Sequence, residues 1–276
     1  LSQTEQDMLD LVCQNFDNVV VVYNGANAME LGFLNEYEQI KGAVWCPGTG
    51  QSGFNALGRI LSGEVNPSGK TSDTFVADLT ATPTWNNFGI MYYDNMDEFA
   101  VTQMSATGEE ETNLPSFVNY VEGIYVGYKF YETAAAEGLI NYDETVVYPF
   151  GYGLSYTTFT QEMGAITESD GTISFDVIVT NTGDAAGKDT VEVYYNPPYT
   201  NGGIEKATAN LVAFEKTDVL EPGASETVTI SFSVEDMASY DYQNAAAYVL
   251  EAGDYVISIN SDSHNVIASG TYNVPE

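Results

Sequence analysis

The segment Tyr142–Phe159, with the sequence YDETVVYPFGYGLSYTTF, constrains the fold of this chain more than any other. Its core places Pro149, Gly151 and Gly153 among aromatic residues. Proline fixes φ and removes a backbone donor, and glycine adopts backbone angles that a side chain forbids. The segment is therefore predicted to be a rigid connector with aromatic walls, packed against the sequence on both of its sides.

Strand-like and helix-like segments alternate before the connector. The predicted elements are a helix from a Ser2–Glu5 capping box to about Asn15, a strand at Asn18–Tyr23, a helix at Ala28–Tyr37, a strand at Gly42–Cys46 and a helix at Gly53–Ser62. The β-branched run of the first strand is typical of a parallel strand buried on both faces. The apolar residues of the first and last helices are expected to face inward: Met8, Leu9, Leu11, Val12, Phe54, Leu57, Ile60 and Leu61. This alternation indicates a doubly wound α/β layer, of which only the second half is expected here.

After the connector the hydrophobic period changes to two. From Thr172 onward, apolar residues occupy every second position, and turns such as Glu221-Pro222-Gly223 separate the runs. Short strands with such turns indicate an immunoglobulin-like β-sandwich. The predicted fold class is α/β followed by all-β, with a partial doubly wound α/β sandwich domain at residues 1–156 and a β-sandwich at residues 157–276.

Two stretches before the connector are less regular. Residues 78–119 form an insert that follows neither pattern. Val121–Thr133 satisfies the spacing of a strand and of a helix, but the AAAEG run that follows favours a helix ended by Gly138.

Several motifs, in order along the chain, resemble glycoside hydrolase family 3, the β-glucosidase-type enzymes. They are CPGTGQSGFNALGRILSGEVNPSGKTSDTF at 46–75, VEGIYVGYKFYET at 121–133, the connector, VIVTNTGDAAGKDTVEVYY at 177–195 and VLEPGASETVTISF at 219–232. The last two resemble the fibronectin type III-like module that closes many members. The resemblance implies the later part of the family's α/β sandwich domain followed by that module. The expected function is the non-barrel part of a glycosidase that hydrolyses terminal glycosidic bonds.

The family's two catalytic carboxylates are not expected among these residues. The resemblance implies a nucleophilic Asp on a (β/α)₈ barrel and an acid/base Glu in an E-G-x-D-like motif before the first helix. No segment here resembles the barrel, and the chain begins just after that motif. The chain is therefore expected to be a nearly inactive fragment of a bacterial-type enzyme, whose partner is the rest of that enzyme or another copy of itself. The order of barrel and fibronectin-like module stays open.

The remaining candidate site residues are aromatic or acidic. If the insert lies over the sugar site, Trp85, Phe88, Tyr92 and Tyr93 are the candidates for binding an oligosaccharide or glycoside. The acidic residues considered and given no catalytic role are Asp73, Asp94, Asp97, Glu109, Glu110, Glu111 and Glu122.

Charge and composition exclude other classes of function. The net charge is −33, from 7 basic and 40 acidic residues, which disfavours binding to nucleic acid or anionic membranes. His264 is the only histidine, which excludes a His-based zinc site, and Cys13 and Cys46 are expected to be free thiols. No metal or cofactor is expected. No apolar run is long enough to span a bilayer and no segment of these residues resembles a signal peptide, so a cytoplasmic and a secreted parent both stay open.

A nucleotide site and a non-enzymatic role are the alternatives. The sequence SGKT resembles the end of a phosphate-binding loop (P-loop). Five residues separate Gly63 from Gly69, however, whereas the P-loop motif has four between its two glycines. The turn also follows a helix instead of preceding one, so a structural role is expected for it. A non-catalytic carbohydrate-binding or scaffold protein remains the rival hypothesis.

Overall fold

The computed structural model covers every residue from Leu1 to Glu276 and divides into two units. The first unit comprises Leu1–Ala77 and Ile124–Glu276, and the second comprises Asp78–Gly123. No helix combines the length and the apolar character that crossing a membrane requires.

The first unit begins with a small parallel α/β arrangement. Its elements are α1 (Gln3–Asn15), β1 (Val19–Tyr23), a 3₁₀ helix (Gly32–Asn35), β2 (Ile40–Trp45), α2 (Phe54–Leu61) and β3 (Phe75–Val76). β1 and β2 pair in parallel. The predicted capping box is confirmed: the Ser2 hydroxyl accepts from the Glu5 amide, and the Glu5 carboxylate accepts from the Ser2 amide at 2.8 Å.

The prediction that β1 is buried on both faces is wrong. Val21 packs on the cluster formed by Leu31, Leu34 and Phe75, whereas Val20 is 50% exposed and Val22 38% exposed. Alternate residues of a strand point to opposite faces, and only one face of this two-stranded sheet is covered. The β-branched run therefore has a buried side and an open side within this chain.

The inward orientation predicted for the apolar residues of α1 and α2 is confirmed only in part, because Leu9 is buried and Val12, Leu57 and Ile60 are half-buried, whereas the other four are exposed. α1 buries only Leu9 and Cys13, and α2 buries no residue. Met8, Leu11, Phe54 and Leu61 are 55%, 63%, 55% and 47% exposed.

The predicted helix at Ala28–Tyr37 is wrong as well, since only the 3₁₀ helix forms there. Residues three apart lie above one another in a 3₁₀ turn, which brings Leu31 and Leu34 together against Phe75. Gly32, in the middle of the predicted helix, weakens the α-helical alternative.

The second unit is small and lacks a core. Its elements are α3 (Pro83–Asn87), β4 (Met91–Tyr92), β5 (Val101–Met104), β6 (Glu110–Asn113) and β7 (Ser116–Phe117), with 3₁₀ turns at Leu79–Ala81 and Met96–Phe99. β4 pairs with β7 and β5 with β6, both antiparallel. No residue of this unit is buried, so its side chains are largely displayed at the surface.

The chain then re-enters the first unit with α4 (Tyr128–Ala136), α5 (Tyr142–Thr145) and β8 (Val146–Tyr148), which pairs with β3. α4 is shorter at its start than the predicted helix, because Gly123 and Gly127 have φ of 59° and 60°, outside the helical region. Gly138 ends it in a left-handed conformation, as predicted.

The rest of the first unit is the predicted β-sandwich. Its strands are β9 (Phe159–Met163), β10 (Thr167–Ser169), β11 (Thr172–Asn181), β12 (Thr190–Asn196), β13 (Asn210–Lys216), β14 (Ser225–Ser233), β15 (Ser239–Asp241), β16 (Ala247–Val249), β17 (Gly253–Asn260) and β18 (Val266–Val274). One sheet has the order β10-β11-β14, with β9 also on β11, and the other has the order β13-β12-β17-β18. The predicted alternation is confirmed, because the inward residues of both sheets form one buried cluster.

The connector is packed, as predicted, against the turn that follows α2. Thr71 exchanges backbone hydrogen bonds with it, donating to Tyr152 O at 2.7 Å and accepting from Gly151 N at 2.8 Å. The Thr71 hydroxyl donates to Pro149 O at 2.6 Å. A side chain at Gly153 would overlap the backbone carbonyl of residue 69, so the close approach requires glycine.

Asn66, in the same turn, joins the connector to the sandwich. Its Oδ1 accepts from Ser155 Oγ at 2.9 Å and from Tyr156 N at 2.8 Å. Its Nδ2 donates to Ala186 O at 3.0 Å. The turn therefore has the structural role expected for it.

A buried carboxylate lies beneath the connector. Glu192, on β12, is 4% exposed and accepts from Tyr194 Oη at 2.8 Å, and Gly151 packs directly on it. Burial raises the pKa of Glu192 to about 7, against the opposing effects of nearby Lys70 and the Tyr194 hydroxyl. Lys70 itself donates to Ser261 O at 2.9 Å.

Candidate functional site

The acidic residues considered for catalysis lie at or near the surface. Asp73, Asp94, Asp97 and Glu109–Glu111 are exposed, and Glu122 is half-buried. Asp73 accepts a hydrogen bond from the amide of Thr74 at 2.8 Å, which is a local turn contact. Acid catalysis by a carboxyl group is favoured in an apolar pocket, and none of these carboxylates is buried. We assign no catalytic role to any of them.

The four aromatic candidates are displayed by the second unit. Trp85 lies on α3, whose start is capped by the Thr82 hydroxyl, and Phe88 follows that helix. Tyr92 lies on β4, and Tyr93 follows it and packs on the ring of Phe117, with centroids 4.4 Å apart. The exposed fractions are 62% for Trp85, 74% for Phe88, 52% for Tyr92 and 55% for Tyr93. More than half of each of these side chains is therefore accessible to solvent.

Hydrogen bonds connect the loops that follow β1 and β2 in the first unit. Trp45 Nε1 donates to Gly25 O at 2.8 Å, and Asn24 Nδ2 donates to Cys46 O at 2.6 Å. These bonds tie the loop Gly25–Asn27 to the end of β2. The carboxyl ends of parallel strands are the usual position for ligand sites in α/β sheets.

A buried polar cluster that the sequence did not predict joins α4 to the sandwich. Glu132, 7% exposed, accepts from Tyr142 Oη at 2.7 Å and from Ser263 Oγ at 2.8 Å. Its second oxygen lies 2.8 Å from His264 Nδ1, and the His264 ring stacks on Tyr142 at 3.6 Å. Ser263 and His264 are more than a hundred residues from Glu132, so no local pattern could have indicated this cluster.

No metal site is evident in the chain. No group of three or more His, Cys, Asp or Glu side chains is arranged to hold an ion. Cys13 is buried, Cys46 is half-buried, and both are free thiols.

Comparison with known proteins covers the whole chain. The Glycosyl hydrolase family 3 C-terminal domain matches residues 1–128, and the Fibronectin type III-like domain matches residues 189–263. Beta-glucosidase A of Butyrivibrio fibrisolvens is 35% identical over 273 residues, which cover 92% of this chain and 29% of that protein.

Solved structures also match the full length of the chain. Beta-glucosidase 3B from Thermotoga neapolitana, in complex with α-D-glucose, has a TM-score of 0.80 at 32% identity, covering 100% of this chain and 34% of that one. A beta-glucosidase from Paenibacillus barengoltzii has a TM-score of 0.82 at 31% identity, covering 100% of this chain and 28% of that one. The chain spans about a third or less of these proteins. Both domain matches and the whole-chain similarity show that the chain belongs to glycoside hydrolase family 3, as its C-terminal α/β domain followed by a fibronectin type III-like domain.

Proposed function

We propose that the chain is the non-barrel part of a β-glucosidase-type glycosidase, which hydrolyses terminal glycosidic bonds, and that it helps to shape the sugar site. The observation that carries the proposal is the match of all its residues to a structure described as a beta-glucosidase in complex with α-D-glucose. In this proposal the nucleophilic Asp and the acid/base Glu are supplied by residues other than these 276.

The open apolar side of the α/β part supports a partner of this kind. The exposed apolar residues of α1, β1 and α2, with the residue after α1, are Met8, Leu11, Phe16, Val20, Val22, Phe54 and Leu61. Strands β1 and β2 pair only with each other, so each also has a free edge. Exposed apolar residues and unpaired edges promote association. We propose that the rest of the enzyme covers them and brings the acid/base Glu beside the loops Gly25–Asn27 and Pro47–Gly50.

The isolated chain is expected to hydrolyse no aryl β-glucoside above background, because both covalent and proton-transfer catalysis need the missing carboxylates. Adding the rest of the enzyme as a second polypeptide should restore turnover, measured by release of the aryl group, and should reduce self-association in light scattering. Turnover by the pure chain that is lost when one of its own carboxylates is replaced would contradict the proposal. Sugar binding without turnover after reconstitution would favour a non-catalytic carbohydrate-binding protein.

We further propose that Trp85, Phe88, Tyr92 and Tyr93 contact the sugar in the complete enzyme. Their support is exposure in a unit without a core, since apolar rings held in water gain from stacking on a ligand.

In the reconstituted enzyme, Trp85→Ala should raise KM about fivefold, which corresponds to about 1 kcal/mol for one lost ring contact. Tyr120→Ala is the matched control, because Tyr120 lies in the same unit, is 85% exposed and is not one of the four. Steady-state kinetics with an aryl glucoside measures both. Equal KM values for the two variants would remove Trp85 from the sugar site.

A further inference from the structure

The hairpin formed by β15 and β16 displays three tyrosines to solvent. Tyr240 and Tyr248 are directly opposite each other in the strand register, so they lie on one face, and Tyr242 begins the turn between the strands. Tyr240 is 45% exposed, Tyr242 65% and Tyr248 75%. On the opposite face Asp241 is buried and Val249 is half-buried. We call Tyr240, Tyr242 and Tyr248 the tyrosine patch.

The hairpin that carries the tyrosine patch is fixed at its base and at its turn. Met237, two residues before β15, is fully buried in the core of the sandwich, and Leu250, directly after β16, packs on the same core. The Asp241 carboxylate accepts hydrogen bonds from the three consecutive amides of Gln243–Ala245 at 3.0–3.1 Å. A surface that is already ordered loses little conformational entropy when a ligand binds.

The chemistry of the hairpin suits a neutral partner. Asp241 is the only charged residue between positions 238 and 250, and both of its oxygens are engaged by the turn. No lysine or arginine follows Lys216 in the chain, so a polyanion would find no counter-charge in this segment. Tyrosine combines an apolar ring with a hydroxyl group, which matches a ligand that has both C–H surfaces and hydroxyl groups.

The size of the patch favours a polymer over a second protein. A stable protein interface takes about 800 Å² and about 20–30 residues from each partner. Three side chains fall well short of that requirement. A long chain of repeating units can instead cross a small patch at many positions along its length, so that weak contacts at single positions add to a measurable affinity.

We propose that the tyrosine patch binds a neutral β-linked glucan chain. The choice of a glucan over other neutral polymers rests on the proposed function. The patch lies within the segment that matches the Fibronectin type III-like domain, and its binding needs no catalytic residue. The interaction is therefore measurable on the 276-residue chain.

The test is native affinity electrophoresis of the full 276-residue chain in gels that contain a soluble, unbranched, neutral β-glucan. The net charge of −33 drives migration, so the retardation by increasing glucan concentration gives the Kd. Tyr248→Ala should raise the Kd about fivefold, as expected for one lost ring contact. Tyr199→Ala is the matched control, because Tyr199 is 45% exposed in the same domain and lies outside the hairpin, and it should leave the Kd unchanged.

Tyr242→Ala separates binding from folding, because Tyr242 lies in the turn and its removal leaves the cross-strand pair of Tyr240 and Tyr248 intact. It should raise the Kd while the thermal midpoint of unfolding stays the same. Absence of retardation, or a Kd unchanged in both tyrosine-patch variants, would overturn the proposal.

Two further outcomes separate this proposal from its alternatives. Self-association in light scattering that Tyr248→Ala abolishes, without retardation by glucan, would assign the patch to a protein contact and overturn the proposal. Glucan binding through the patch by a chain that the rest of the enzyme cannot activate would uphold it and contradict the proposed function. Restored turnover without retardation would do the reverse.

Discussion

Asn66→Ala is expected to lower the free energy of unfolding by about 3 kcal/mol. The substitution removes three hydrogen bonds, each worth about 1 kcal/mol net, and leaves the Tyr156 amide and the Ala186 carbonyl without their partner. Urea denaturation measures the change. Because the bonds link the α/β part, the connector and the sandwich, this loss is large for one surface-turn residue.

Two further variants define the origin of that loss. Asn66→Asp keeps the acceptor for Ser155 and Tyr156 but cannot donate to Ala186, so it should cost less than Asn66→Ala. Asn55→Ala, at an exposed position of α2, should change stability by no more than about 0.5 kcal/mol. An equally small effect of Asn66→Ala would mean that the junction adds nothing to stability.

The stability of the chain is expected to fall as the pH rises from about 4.5 to about 7, because of Glu192. Burial raises its pKa from 4.5 to about 7, so the folded state binds the proton more tightly than the unfolded state. The contribution is complete below pH 4.5 and is lost as the pH rises through 7. A difference of this size between the pKa values of Glu192 in the folded and unfolded states corresponds to about 3 kcal/mol in the free energy of unfolding.

Glu192→Gln isolates this contribution, since glutamine has no proton to lose. From pH 4.5 to pH 8, the free energy of unfolding of the variant should increase by about 3 kcal/mol relative to that of the unsubstituted chain. Urea unfolding across that pH range measures the change. Glu215→Gln, at an exposed position on the neighbouring strand β13, should follow the unsubstituted chain at every pH. If the plots of unfolding free energy against pH are parallel for Glu192→Gln and the unsubstituted chain, ionisation of Glu192 does not destabilise the folded state.

The sandwich was predictable from the sequence because its core is complete within the chain. Residues such as Ile173 and Val177 alternate with polar neighbours and are fully buried. The same reasoning failed for Val20 and Val22 on β1, whose outer face nothing in the first unit covers. A hydrophobic pattern indicates that a side chain needs cover, and it does not say which chain supplies that cover.

The candidate sites were predictable only in part. The role of Trp85 and Tyr93 in sugar binding stays a prediction, because their exposure alone does not test it. Glu132 could not be selected, because its significance depends on contacts with the distant residues Ser263 and His264. His264, the only histidine, gave no local sign that it would lie against Glu132 and Tyr142.

The long-range contacts of the turn at residues 66–71 also set the order in which the chain can fold. Lys70 donates to the carbonyl of Ser261, which lies 191 residues further along the chain. Contacts between such distant residues form late, because the intervening chain must first be ordered. During synthesis from the N-terminus, the turn at residues 66–71 therefore cannot form this hydrogen bond until Ser261, which follows strand β17, has been synthesised.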